Sequence, residues 1–86
     1  MERANISGSR IRIARKRANL DQVDLSAALD IEFHLKLTQS DISEIERGVR
    51  GVRDYELNYI AEILGVNPVW LLRGDTKGSS EPNENN

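Results

Sequence analysis

Eighty-six residues, 30% of them charged and none of them cysteine, suffice for one small domain held by packing alone, without a disulfide or a thiolate metal site. The net charge of −2 weighs against indiscriminate attraction to nucleic acid, but it hides a segregation: residues 1 to 20 sum to +5 and 47 to 53 to +3, whereas 21 to 46 sum to −6 and 54 to 86 to −4. No run of about eighteen apolar residues occurs, and residues 1–5 lead into no signal-type hydrophobic stretch, so a cytoplasmic chain without a membrane span is expected.

The first periodic stretch predicts a helix from about Ile6 or Ser7 to Ala18, with Ser7 or Ser9 near its start. Ile11, Ala14, Arg15 and Ala18 share one stripe of it. Arg10, Arg12, Lys16 and Arg17 point elsewhere, and Ile13 lies off the stripe, either exposed or meeting a later helix. Asn19 and Leu20 break the pattern. A second helix then opens at Asp21, a good capping residue, and turns Leu25, Ala28, Leu29 and, if it runs that far, Phe33 inward. In the connection that follows, Leu35 and Leu37 predict a packed segment. His34 is the only histidine, and with no other ligand type beside it, it reads as a turn residue rather than a metal ligand.

A third helix fits between Thr38, whose hydroxyl can accept from a first-turn amide, and Gly48, which tolerates the left-handed conformation past a helix end. Ile42, Ile45 and Val49 form its apolar stripe. Gln39, Ser40, Ser43, Glu44 and Arg47 occupy the opposite side, a short polar flank that is either plain solvated surface or able to reach base edges in a DNA major groove. Residues 49–53 make a basic loop. The spacing of Leu57, Ile60, Ala61 and Leu64 predicts a fourth helix from about Asp54 to Leu64, stopped by Gly65. Asn67 and Pro68 announce a fifth, reaching about Leu72, with Trp70 and Leu71 either a lid on the core, the simpler reading, or a protein-binding patch. From Asp75 the chain is polar and small, which predicts a domain over 1–74 and a disordered tail over 75–86.

Two charges fall on apolar stripes, Arg15 on the first helix and Glu46 on the third. A buried isolated charge is heavily penalised, so the economical expectation is that the two pair and tie their helices together.

The order of these parts resembles the phage repressor and Cro type of helix-turn-helix domain, also called the Xre type. The resemblance rests on Ile11, Arg12 and Arg15, on the run from Leu20 to Leu25, on the run from Ile42 to Gly48, and on Glu56-Leu57, Ile60-Ala61, Leu64-Gly65-Val66 and Trp70-Leu71-Leu72. It spans roughly residues 6 to 73. It implies an all-α, five-helix bundle of the lambda-repressor-like type, with the helix from Thr38 in the major groove and the helix from Gln22 crossing the backbone above it. By motif position it implies that Gln39, Ser40 and Glu44, with Ser43 beside them, contact base edges. Gln22, Arg50 and Arg53, joined by Arg10, would contact phosphate, and Arg15 and Glu46 match the family's buried ion pair.

Two departures stand out. Leu29 to Ile42 spans thirteen positions, longer than the family's short turn, so either the second helix extends through about Phe33 or the insertion forms a bulge. In addition, Asp21 replaces the usual Thr or Asn, and Asp41 and Glu44 bring negative charge toward the supposed DNA face. Glu44 could accept from a cytosine amino group, while Asp21 and Asp41 suit helix amino ends.

The resemblance implies a sequence-specific transcriptional regulator, expected to be a repressor acting on double-stranded DNA as a homodimer, with no cofactor, metal or small-molecule ligand. The alternative is a protein-interaction module on the same scaffold, such as an antitoxin or a phage accessory factor. One histidine, no cysteine and no phosphate-cradling glycine motif give no basis for an enzyme.

Overall fold

The computed structural model describes residues 2 to 74. These form five helices and no strand: α1 Gly8–Arg17, α2 Gln22–Phe33, α3 Gln39–Arg47, α4 Asp54–Leu64 and α5 Pro68–Arg73. The polar tail expected over 75–86 lies outside the described residues. None of the described helices is long and apolar enough to cross a membrane.

Left-handed residues stop four of the helices: Asn19 at φ 64° after α1, His34 at 55° after α2, Gly48 at 76° after α3 and Gly65 at 69° after α4. After α3 the Gly48 amide donates to Ile45 O and the Val49 amide to Glu44 O, each at 3.0 Å, satisfying carbonyls that a helix end leaves open. This turn redirects the chain. Val49, expected on the apolar stripe of α3, leaves it at Gly48 and is 52% exposed.

The longer connection is taken up by helix rather than by a bulge. The second helix continues to Phe33, whose ring stacks on Tyr59 of α4 with centroids 4.3 Å apart, so the added turn has a packing partner. His34 then turns the chain. Leu37 is buried, and its carbonyl accepts from Ser26 Oγ at 2.6 Å, which fixes the approach to α3.

The first helix begins later than its apolar pattern suggests. Ser7 occupies the capping position without a side-chain bond, and Asn5 serves instead, its Oδ1 accepting from the amides of Ser7 (2.9 Å) and Gly8 (2.7 Å). Asn5 Nδ2 meanwhile donates to Ile45 O at 3.0 Å and Arg50 O at 2.8 Å. One side chain thus joins the start of α1 to the end of α3. At the same contact, a Cβ added to Gly8 would lie 2.2 Å from Ile45 O, so the close crossing of α1 and α3 requires glycine there.

Ile11, Leu25, Leu29, Ile42, Ile45, Ile60 and Leu71 are fully buried in one core drawn from all five helices, each burial contributing about 1.5–3 kcal/mol. The third helix packs between α1 and α2, while α5 closes the far side against α1 and α4. Leu71 and Trp70 of α5 meet the core as expected of a lid, and Ile13 takes the exposed option at 44%.

Candidate nucleic-acid interface

The third helix is held from behind and open in front. A reciprocal cap starts it: the Asp41 amide donates to Thr38 Oγ1 at 3.0 Å, and the Thr38 amide donates to Asp41 Oδ2 at 2.9 Å. Hydrogen bonding from Thr38, first of all from its backbone amide, holds the Asp41 carboxyl below its ordinary value. Asp41 therefore spends its charge on the amino end of α3. At α2 the equivalent carboxylate is that of Asp24, which accepts from the Asp21 amide at 2.9 Å.

Behind α3, Arg15 Nε donates to Glu46 Oε2 at 2.6 Å and Arg15 Nη2 to Glu46 Oε1 at 3.0 Å. Both side chains are buried. Arg15 Nη1 donates to Leu20 O at 2.8 Å. The Glu46 hydrogen bonds raise Arg15 further above its already high value. The geometry is bidentate, the form in which an arginine and a carboxylate bind most strongly.

In front, Gln39, Ser40 and Arg47 are exposed, and Ser43 and Glu44 are half-buried. Arg47 Nε lies 3.4 Å from Ser43 Oγ. Gln39 Nε2 donates to Gln22 Oε1 at 2.6 Å, and Gln22 Nε2 donates to Glu46 Oε1 at 3.1 Å. Gln22, expected beside a phosphate, is thus tied to α3 by both ends of its amide. A shallow concavity at this point is lined by Lys16, Gln22, Val23 and Gln39, which brings an exposed lysine of α1 to the start of α3.

The expected phosphate contacts are not brought together. Arg10 turns toward α5, where Nε donates to Leu71 O at 2.9 Å and Nη2 to Leu72 O at 2.9 Å and Ile6 O at 3.1 Å. Arg50 sits in the loop after α3, but its Nη1 and Nη2 donate to Glu56 at 3.1 and 3.3 Å, and its Nε lies 4.0 Å from Asp41. Arg53 remains open, its side chain 68% exposed and 3.8 Å from Glu56. Glu56 is buried. Burial alone would raise its carboxyl, but the Arg50 bonds and the Arg53 amide at 2.9 Å hold it below the ordinary value.

Asn5, Gly8, Lys16 and Glu56 were given no part in the site from sequence. Asn5 and Gly8 act through contacts about forty positions away, which no local pattern carries. Glu56 entered only as part of the Glu56-Leu57 match in α4, and nothing local paired it with Arg50. Among the described residues no group of three or more His, Cys, Asp or Glu is placed to hold a metal ion.

No curated protein matches this chain. A family model described as "Helix-turn-helix domain" matches residues 8–76, a span that takes in all five helices and the whole of the polar flank of α3. The chain belongs to the helix-turn-helix domain family.

Proposed function

We propose that the protein is a sequence-specific DNA-binding transcriptional regulator of the repressor and Cro type, acting as a repressor. The observation that carries this reading is the asymmetry of α3: its back is fixed by Arg15, while Gln39 and Ser40 stand in solvent at its amino-terminal end, the end by which such helices meet base edges. Gln39, Ser40, Ser43 and Glu44 are the proposed base-reading residues, Glu44 by accepting from a cytosine amino group. Arg53 is the most available of the proposed phosphate contacts. Arg50 and Gln22 belong to the same set only if they release Glu56 and Glu46, and Arg10 only if it releases the carbonyls of α5.

A three-turn helix reads few bases, which favours a homodimer that sets two such helices about 34 Å apart on a near-palindromic site. Ile6 and Leu72, whose carbonyls share Arg10 Nη2, and Val69 one turn before Leu72, are exposed apolar residues that a second copy would cover.

Selection from random duplexes at low salt tests the reading. The expected result is an enriched, near-palindromic motif with two protein chains per duplex by sedimentation. Gln39→Ala should relax it at defined positions. Recovery of no motif, with the folded protein binding a protein partner instead, would favour the interaction-module reading.

A further inference from the structure

We propose that Glu56 sorts the two arginines of the basic loop, withholding Arg50 from DNA phosphate and presenting Arg53 to it. This rests on the DNA-binding reading and deepens it, naming the positioning residue that sets how many phosphates the loop engages. In sequence Arg50 and Arg53 are equals, three positions apart in one basic stretch. The fold makes them unequal.

Both are met by a single buried carboxylate, that of Glu56, whose side chain is only 3% exposed. It takes Arg50 by the guanidinium: Nη1 donates to Oε1 at 3.1 Å and Nη2 to Oε2 at 3.3 Å. It takes Arg53 by the main chain, whose amide donates to Oε1 at 2.9 Å and closes the start of α4. The Arg53 guanidinium stays 3.8 Å away in solvent. One arginine has surrendered its charge to the protein, the other only its backbone.

Two more contacts widen the difference. Arg50 Nη1 also donates to Gly51 O at 2.8 Å, and its Nε faces Asp41 Oδ1 at 4.0 Å. Asp41 belongs to the first turn of α3, the end proposed to enter the groove, so the withheld guanidinium lies beside the DNA face and not remote from it. A phosphate can claim Arg50 only by stranding the Glu56 carboxylate in the interior. Breaking a buried pair from one side is penalised more heavily than one salt-screened phosphate contact returns. Arg53 incurs no such penalty, because the bond that Glu56 needs comes from its amide.

The test compares the salt dependence of binding to a selected duplex for wild type, Glu56→Gln, Arg50→Met and the double variant, with folding checked by circular dichroism. Glutamine keeps an oxygen for the Arg53 amide and removes the charge that holds Arg50. Glu56→Gln should tighten binding about three- to tenfold at about 50 mM salt, alike on selected and unrelated duplexes, and steepen the salt slope by about one. In the Arg50→Met background the same change should steepen it by less than about half a unit. Arg50→Met alone should flatten the wild-type slope by less than about half a unit, against about one for Arg53→Ala. NMR of the arginine Nε–H protons supplies a readout that a purely structural role for Glu56 would not move: added duplex should shift the Arg50 resonance much less in wild type than in Glu56→Gln.

If Arg50→Met flattens the slope as much as Arg53→Ala does, DNA draws Arg50 off Glu56 and the proposal is overturned. A folded Glu56→Gln with the wild-type slope, or a gain that persists without Arg50, overturns it too. Should Glu56→Gln fail to fold, the Arg50→Met slope and the wild-type Arg50 resonance decide alone. Failure of the wild-type protein to bind any duplex overturns the DNA-binding reading itself and this proposal with it, a failure told apart from the others because there is then no slope to compare.

Discussion

Two arginine–glutamate pairs flank α3, and they differ in how much of the arginine is left to water. Arg15 and Glu46 expose 8% and 3% of their side chains, Arg50 and Glu56 25% and 3%. In the first pair both members lie on helices that pack face to face, and a third N–H of the arginine, on Nη1, is spent on Leu20 O. In the second the arginine sits in a loop, bonds its own neighbour Gly51 O at 2.8 Å, and keeps an edge in solvent. The first pair fixes the position of a whole helix. The second shapes the loop beside it and is backed by Arg53, so its loss is partly covered.

The comparison can be broken most forcefully at Arg15. Arg15→Met strands the Glu46 carboxylate in the core and should cost about 3–5 kcal/mol in urea denaturation, a large part of the about 5–15 kcal/mol typical of a domain. Arg15→Met with Glu46→Leu should recover much of that loss. Equal stability of single and double variants would mean that Glu46 finds water or another partner.

Gly8→Ala sharpens the contrast from the backbone side, pressing α1 off α3 at the carbonyls of Ile45 and Glu46 and so straining the first pair but not the second. The added methyl meets backbone, which cannot step aside, and a loss of about 1–3 kcal/mol is expected in the same assay. Arg50→Met should cost less than Arg15→Met, about 1–2 kcal/mol, because the Arg53 amide still satisfies Glu56.

The second pair also has a pH signature. Because Glu56 titrates below its unfolded value of about 4.5, its contribution is fully present above that pH and is lost as the pH falls through the lower folded value. Thermal melts between about pH 7 and pH 3 should therefore fall more steeply for wild type than for Glu56→Gln. The smallest effect on stability belongs to Arg53→Ala: no measurable change in melting, but a salt slope of DNA binding lowered by about one.

The difference between the pairs also explains what could be seen in the residues beforehand. Arg15 and Glu46 announce themselves because each interrupts an apolar stripe of fixed period, and a charge out of place demands a partner. Arg50 interrupts nothing. In a loop it has no period to violate, so it reads as a free cation near DNA, and only the folded chain shows Glu56 beneath it. The limits of α3 were legible because Thr38 and Gly48 are local signals. The start of α1 was not, because its cap comes from Asn5, two residues before the capping position. The longer connection stayed open until Phe33 met Tyr59, a contact across twenty-six positions.

Asn5 has a consequence for how the molecule is made. Its acceptors are the carbonyls of residues 45 and 50, and a ribosome adding about 5–20 residues per second takes several seconds to reach them. Until then the Asn5 amide nitrogen lacks both of these partners. The crossing of α1 and α3 is consequently sealed by a side chain made before either of its acceptors.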